Sequence, residues 1–111
     1  MIGLDEIRAI AMALPNVEEG GPVRAARRIA AFKVAGKSFV GVETGGRSMT
    51  VSLPEKEAKP FAKANPTAYE EIWRNKTTFM GLRVSLPAIS TDRVRELIEA
   101  SWRYTSAASK S

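Results

Sequence analysis

Histidine and cysteine are both absent from the 111 residues of this chain. Their absence excludes disulfides, iron–sulfur clusters, thiol nucleophiles, the usual zinc sites and catalytic triads built on histidine. Carboxylates alone could still hold Mg²⁺ or Ca²⁺, but Glu18-Glu19 and Glu70-Glu71 are adjacent pairs, and neighbouring side chains usually point in different directions. We therefore expect no metal, no cofactor and no enzymatic activity.

Long apolar runs are also missing. No run approaches the roughly 20 residues of a membrane span, and residues 1–6 lack the basic start and apolar stretch of a signal peptide. These features predict a cytoplasmic protein that does not enter a membrane. The length suits one packed core, so we expect a single domain over residues 1–105 and a flexible tail over residues 106–111, which are small and polar.

The patterning predicts an α+β domain. Apolar residues at three- and four-residue steps indicate helices over residues 4–14 and from Ser90 or Thr91 onward, and a loop fills residues 16–22. Short alternating runs separated by glycine turns predict five strands. These strands are residues 28–34, 38–43, 48–53, 72–74 and 82–86.

A further helix is predicted to end near Ala64. Ser52 and Glu55 have the spacing of a capping box, and Pro60 predicts either a kink or a late start. The element order is then α-β-β-β-α-β-β-α. Such an order is typical of a two-layer α+β domain whose antiparallel sheet is covered by helices on one face.

Positive charge is concentrated in and around the first three predicted strands. The chain carries a net charge of +5, and between positions 24 and 47 six basic residues face one acid, Glu43. These basic residues are Arg24, Arg27, Arg28, Lys33, Lys37 and Arg47. Lys33 and Arg83 are predicted on the uncovered face of the sheet. A basic sheet suits a polyanion such as nucleic acid, while charges that keep the protein soluble and protect edge strands are the alternative.

The order and spacing of several short segments resemble the MmcQ/YjbR family of small bacterial proteins. The segments are Ala13-Leu14-Pro15 with Val17-Glu18-Glu19, Phe32-Lys33-Val34-Ala35-Gly36-Lys37-Ser38-Phe39, Asn75-Lys76, Leu82-Arg83-Val84-Ser85-Leu86, and Leu97-Ile98-Glu99-Ala100-Ser101-Trp102. The resemblance implies the same element order and a proposed DNA-binding role with β hairpins acting as wings. It points to Lys37, Asn75-Lys76 and Arg83 as contact residues.

Our leading hypothesis from the sequence is a DNA-binding protein without catalytic activity that contacts the phosphate backbone. The predicted contact residues are Arg27, Arg28, Lys33, Lys37, Arg47, Asn75, Lys76 and Arg83. The alternative is a protein-interaction or dimerisation module, because an uncovered sheet face can also dock a protein partner or a second copy of the chain.

Overall fold

The computed structural model describes residues 2–20 and 28–109. Within these ranges the chain forms three helices, six strands and a short 3₁₀ turn at Leu86–Ala88. The helices are α1 (Leu4–Met12), α2 (Glu55–Ala64) and α3 (Thr91–Ser109). The strands are β1 (Val17–Gly20), β2 (Arg28–Val34), β3 (Lys37–Glu43), β4 (Ser48–Val51), β5 (Tyr69–Arg74) and β6 (Thr78–Ser85).

The described strands form one antiparallel sheet in the order β1-β2-β3-β4-β6-β5. All three helices pack on it, α1 and α3 against its first four strands and α2 against β5 and β6. The predicted α+β class with a helix-covered antiparallel sheet is therefore confirmed.

Strand register separates the two faces of the sheet. Val40 pairs with Phe32 and with Val51, and Val51 pairs with Leu82. All four are buried in the core beneath the helices. Because side chains alternate along a strand, the pair Thr50 and Arg83 lies on the opposite face, which we call the open face.

The first strand is the clearest departure from the sequence prediction. Residues 16–22 were predicted as a loop, but residues 17–20 form β1 and pair with β2 at the sheet edge. Val17 packs against the core, and Glu19 bonds to Arg8 of α1 at 2.8 Å. Two acids and a glycine have low strand propensity, so pairing and contacts with α1 decide the local structure.

The helices differ from prediction at their ends. The predicted capping box at Ser52 is wrong, because Pro54 is the N-cap residue of α2 without a side-chain cap and the Ser52 hydroxyl donates to Ser38 O. Pro60 lies inside this helix. Ser90 does cap α3, its hydroxyl accepting the Arg93 N–H at 3.2 Å. The last helix continues to Ser109, so residues 106–109, predicted as part of the tail, extend it.

A buried hydroxyl ties α3 to the sheet. Ser101 is 0 % exposed; its Oγ donates to Phe39 O at 2.7 Å and accepts the Ser52 N–H at 3.0 Å. The same two backbone groups also bond to each other at 3.1 Å. Ser101 thus satisfies its own polar group while fixing the helix over β3 and the end of β4.

Candidate nucleic-acid interface

Arg83 lies on the open face between two carboxylates. Its Nε is 2.8 Å from Glu43 Oε1, and its Nη1 is 2.5 Å from Glu70 Oε1. Both of its carboxylate partners compensate the charge of Arg83, so Arg83 adds no excess positive charge to the open face. A phosphate would have to displace both acids to reach Arg83. Arg83, although a predicted contact residue, is therefore not part of the candidate interface.

Glu43 is the more enclosed of the two acids. Its side chain is 16 % exposed and also accepts a hydrogen bond from the Ser48 hydroxyl at 2.7 Å. Burial alone would raise the pKa of Glu43, but the hydrogen bonds from Arg83 and Ser48 outweigh it and hold the pKa below its ordinary value. Glu43 therefore stays ionised at neutral pH and holds Arg83 in place on the open face.

Arg28 also lies on the open face, where its side chain crosses the backbone of Gly41. A Cβ atom at position 41 would be 2.8 Å from Arg28 Nε and 3.0 Å from Thr50 Oγ1. Because glycine has no Cβ, the Arg28 side chain can extend along the sheet over position 41.

The β5–β6 hairpin contains a β-bulge next to Gly81. Ile72 pairs with Gly81 and Trp73 with Phe79, so Met80 is an extra residue in β6. Gly81 has φ of +153°, which is accessible almost only to glycine. A bulge of this kind bends a strand and redirects its side chains.

A cavity of about 480 Å³ lies where this hairpin meets the open face. Arg28 and Thr50 line it from the sheet, and Trp73, Arg74 and Met80 line it from the hairpin. Trp73 and Met80 are 39 % and 37 % exposed. The cavity thus brings together two arginines that are 46 positions apart in the sequence, with an aromatic ring beside them.

Two hairpin turns lie at this end of the sheet. Strands β3 and β6 run in the same direction, and Val40 and Leu82 both pair with Val51. Their first residues, Lys37 and Thr78, therefore extend past β4 at the same end. The two hairpins are separated by about three strand spacings, roughly 14 Å.

Both turns use left-handed backbone conformations. Ala35 and Gly36 have φ of 53° and 78°, as the two-residue turn favoured in hairpins requires. Asn75 and Lys76 have φ of 54° and 64°. Asparagine tolerates this region, but lysine loses roughly 1 kcal/mol in it, so the lysine at the second turn has a conformational cost.

The predicted contact residues separate into groups. Lys37, Asn75 and Lys76 lie at the hairpin end of the sheet, and the Arg28 side chain reaches the cavity there. Lys33 is on the open face near edge strand β1, opposite Glu18. Arg47 is in the turn between β3 and β4, at the far end of the sheet. Arg27 is outside the described residues.

Sequence reasoning did not select Arg74 as a site residue. Arg74 pairs with Thr78 next to the turn and lines the cavity with Arg28. Within the described ranges, Lys37, Arg74 and Lys76 form no ion pair. The available signal was their position at or beside a predicted turn; the bulge at Met80 was not predictable.

Among the described residues, no cluster of three or more acidic, histidine or cysteine side chains could hold a metal ion. In the same part of the chain, no helix combines the length and apolar character needed to cross a membrane.

Comparison with known proteins identifies the family. The sequence model of the YjbR family matches residues 12–104. The chain belongs to the YjbR family. This match confirms the resemblance to MmcQ/YjbR proteins inferred from the sequence.

A solved structure is similar to this YjbR-family chain. It is the crystal structure of Deinococcus radiodurans protein DR2400, with a DUF419 domain, which belongs to the same family. The TM-score is 0.74 at 17 % identity, over 92 % of this chain and 77 % of that one. The likeness supports the fold. Among curated proteins, none matches the chain.

Proposed function

We propose that the chain is a DNA-binding protein without catalytic activity, and that it contacts the phosphate backbone with the hairpin end of its sheet. The observation that carries this proposal is the grouping of Lys37, Arg74 and Lys76 at one end without ion pairs to described residues. Arg28 adds a fourth positive charge from the cavity wall. Cations without carboxylate partners can release counterions from DNA, which is the main source of affinity in backbone binding.

The spacing of the hairpins favours duplex DNA. Two turns about 14 Å apart match the roughly 12 Å width of the major groove of B-DNA. Lys37 on one hairpin and Lys76 on the other could then reach phosphates on opposite sides of the groove. Backbone contacts carry no direct sequence information, so the proposal includes weak sequence preference.

Fluorescence anisotropy with a labelled duplex at low salt tests this proposal. The double variant Arg74→Glu, Lys76→Glu is expected to lose at least about tenfold in affinity, because two phosphate contacts become repulsive. The matched control is Lys56→Glu, Lys63→Glu, which changes the net charge equally through exposed lysines of α2. It should stay within about threefold of the wild type. Absence of saturable binding, or equal losses in both variants, would refute the assigned interface.

A protein partner or a second copy of the chain is the alternative occupant of this surface. The observation that favours it is the exposure of Trp73 and Met80 on the cavity wall, because exposed aromatic and methionine side chains are common at interfaces. Light scattering during size exclusion distinguishes the alternatives. A dimer that the double change Trp73→Ala, Met80→Ala dissociates would support self-association, and a monomer that binds DNA would support the main proposal.

A further inference from the structure

A second cavity lies on the other side of the molecule, between α2, α3 and the start of β5. Its volume is about 430 Å³, within the range of small-molecule sites. Pro60, Phe61 and Ile89 form its apolar wall, and Asn65, Tyr69 and Arg93 bring polar groups to it. None of these residues belongs to the proposed DNA interface.

Tyr69 is the most unusual group in this cavity. It is only 7 % exposed, and its ring meets that of Phe61 edge to face at 5.5 Å between centroids. Its hydroxyl forms no hydrogen bond with a described residue, and its oxygen is not fully enclosed, so it can bond to water or to a ligand in the cavity. Burial raises the pKa of Tyr69, and the charge of Arg93 only partly opposes this. At neutral pH the hydroxyl is therefore a protonated donor.

Arg93 supplies a positive charge beside the same ring. Its guanidinium carbon is 5.4 Å from the Phe61 ring centroid. Its described ion pair, with Glu96 at 3.3 Å, joins two exposed side chains. Exposed pairs of this kind contribute little, so Arg93 is available to a ligand. At the start of α3, the Ser90 hydroxyl already accepts the Arg93 backbone N–H. The Arg93 guanidinium is therefore the group that would bind an anion.

We propose that this cavity binds a small aromatic carboxylate, with the ring against Phe61 and Ile89 and the carboxylate accepting hydrogen bonds from Arg93 and Tyr69. A guanidinium offers two parallel donors that match a carboxylate. The Tyr69 hydroxyl donates to the carboxylate in place of water. The apolar wall selects for a ring, because an anion without one leaves Phe61, Pro60 and Ile89 exposed to water.

Titration of the full chain with benzoate, followed by ¹H–¹⁵N NMR spectra, tests this site. We expect saturable shifts at the backbone amides of Phe61, Asn65 and Ile89, with a Kd of about 1 mM or tighter, as expected for a ligand of this size. Benzyl alcohol, which has the ring without the charge, and acetate, which has the charge without the ring, should each bind at least about tenfold more weakly.

Two variants and a control assign the polar contacts. Arg93→Gln should weaken benzoate binding at least about tenfold, and Tyr69→Phe about three- to tenfold, because each removes donors to a charged oxygen. Arg95→Gln, an exposed arginine of the same helix outside the cavity, should bind as the wild type does. The proposal would be overturned if binding did not saturate up to about 20 mM benzoate, if the shifts were centred elsewhere, or if the Arg93→Gln and Arg95→Gln variants bound equally well. These outcomes do not depend on whether the chain binds DNA.

Discussion

Replacing Gly81 with alanine tests whether β6 must approach β4 as closely as it does at the bulge. A Cβ atom built on Gly81 lies 2.0 Å from Val51 O, whereas ordinary contact begins at 3.4 Å. The atom it meets belongs to the backbone, so rotation of a side chain cannot relieve the contact. The strands would have to separate by about 1.4 Å, which would weaken the hydrogen bonds between them.

The magnitude follows from two terms. A non-glycine residue at φ of +153° costs about 1–3 kcal/mol, and weakening about two backbone hydrogen bonds between the strands adds about 2 kcal/mol. The expected loss is therefore about 3–5 kcal/mol, a large part of the roughly 5–15 kcal/mol of a typical domain. For a domain of this size it corresponds to a fall in Tm of about 12–20 °C.

Urea unfolding measures this loss, and Gly36→Ala is the control. Gly36 also has positive φ, +78°, but a Cβ there meets nothing within 4 Å. Its substitution should cost only about 1 kcal/mol. The difference appears as a shift in midpoint at constant slope. Equal midpoints for Gly81→Ala and Gly36→Ala would show that the close approach to Val51 O is not present in solution.

Three further outcomes are expected. Ser101→Ala should lower the free energy of unfolding by about 1–2 kcal/mol in urea titrations, because two hydrogen bonds are lost while both backbone groups keep each other as partners; no loss would contradict the described anchoring of α3. The lowered pKa of Glu43 stabilises the fold above the ordinary glutamate pKa of about 4.3, and this stabilisation is lost as pH falls through the folded value. Unfolding curves at successive pH values should therefore show a shallower acid decline for Glu43→Gln than for the wild type, and parallel declines would contradict the account. Gly41→Ala should displace Arg28 and weaken DNA binding several-fold in anisotropy titrations, since the new Cβ would lie 2.8 Å from Arg28 Nε and 2.9 Å from Arg28 Cδ; unchanged affinity would remove Arg28 from the interface.

The covered face of the sheet was predictable because its signal is local. Met49, Val51 and Leu53 alternate with polar residues, and the structure buries all three. The order of the remaining elements followed from glycine turns and from the apolar stripe of α3. Strand β1 was not predictable, since Glu18, Glu19 and Gly20 become a strand only through pairing with β2.

The candidate interface was predictable only in part. Lys37 and Lys76 were placed in turns by sequence alone, and they do lie at hairpin turns. The carboxylates that compensate Arg83 are 40 and 13 positions away in sequence. Their contact depends on strand register and on the neighbouring positions of β4 and β6, which local patterns do not encode.

The dependence of DNA binding on salt tests most directly whether cations at the hairpin end neutralise phosphates. Four contacts, from Arg28, Lys37, Arg74 and Lys76, predict a slope of log K against log salt of about −3.6, and the variant Arg74→Gln, Lys76→Gln should reduce it to about −1.8. A wild-type slope near zero, or the same slope in the variant, would contradict the account.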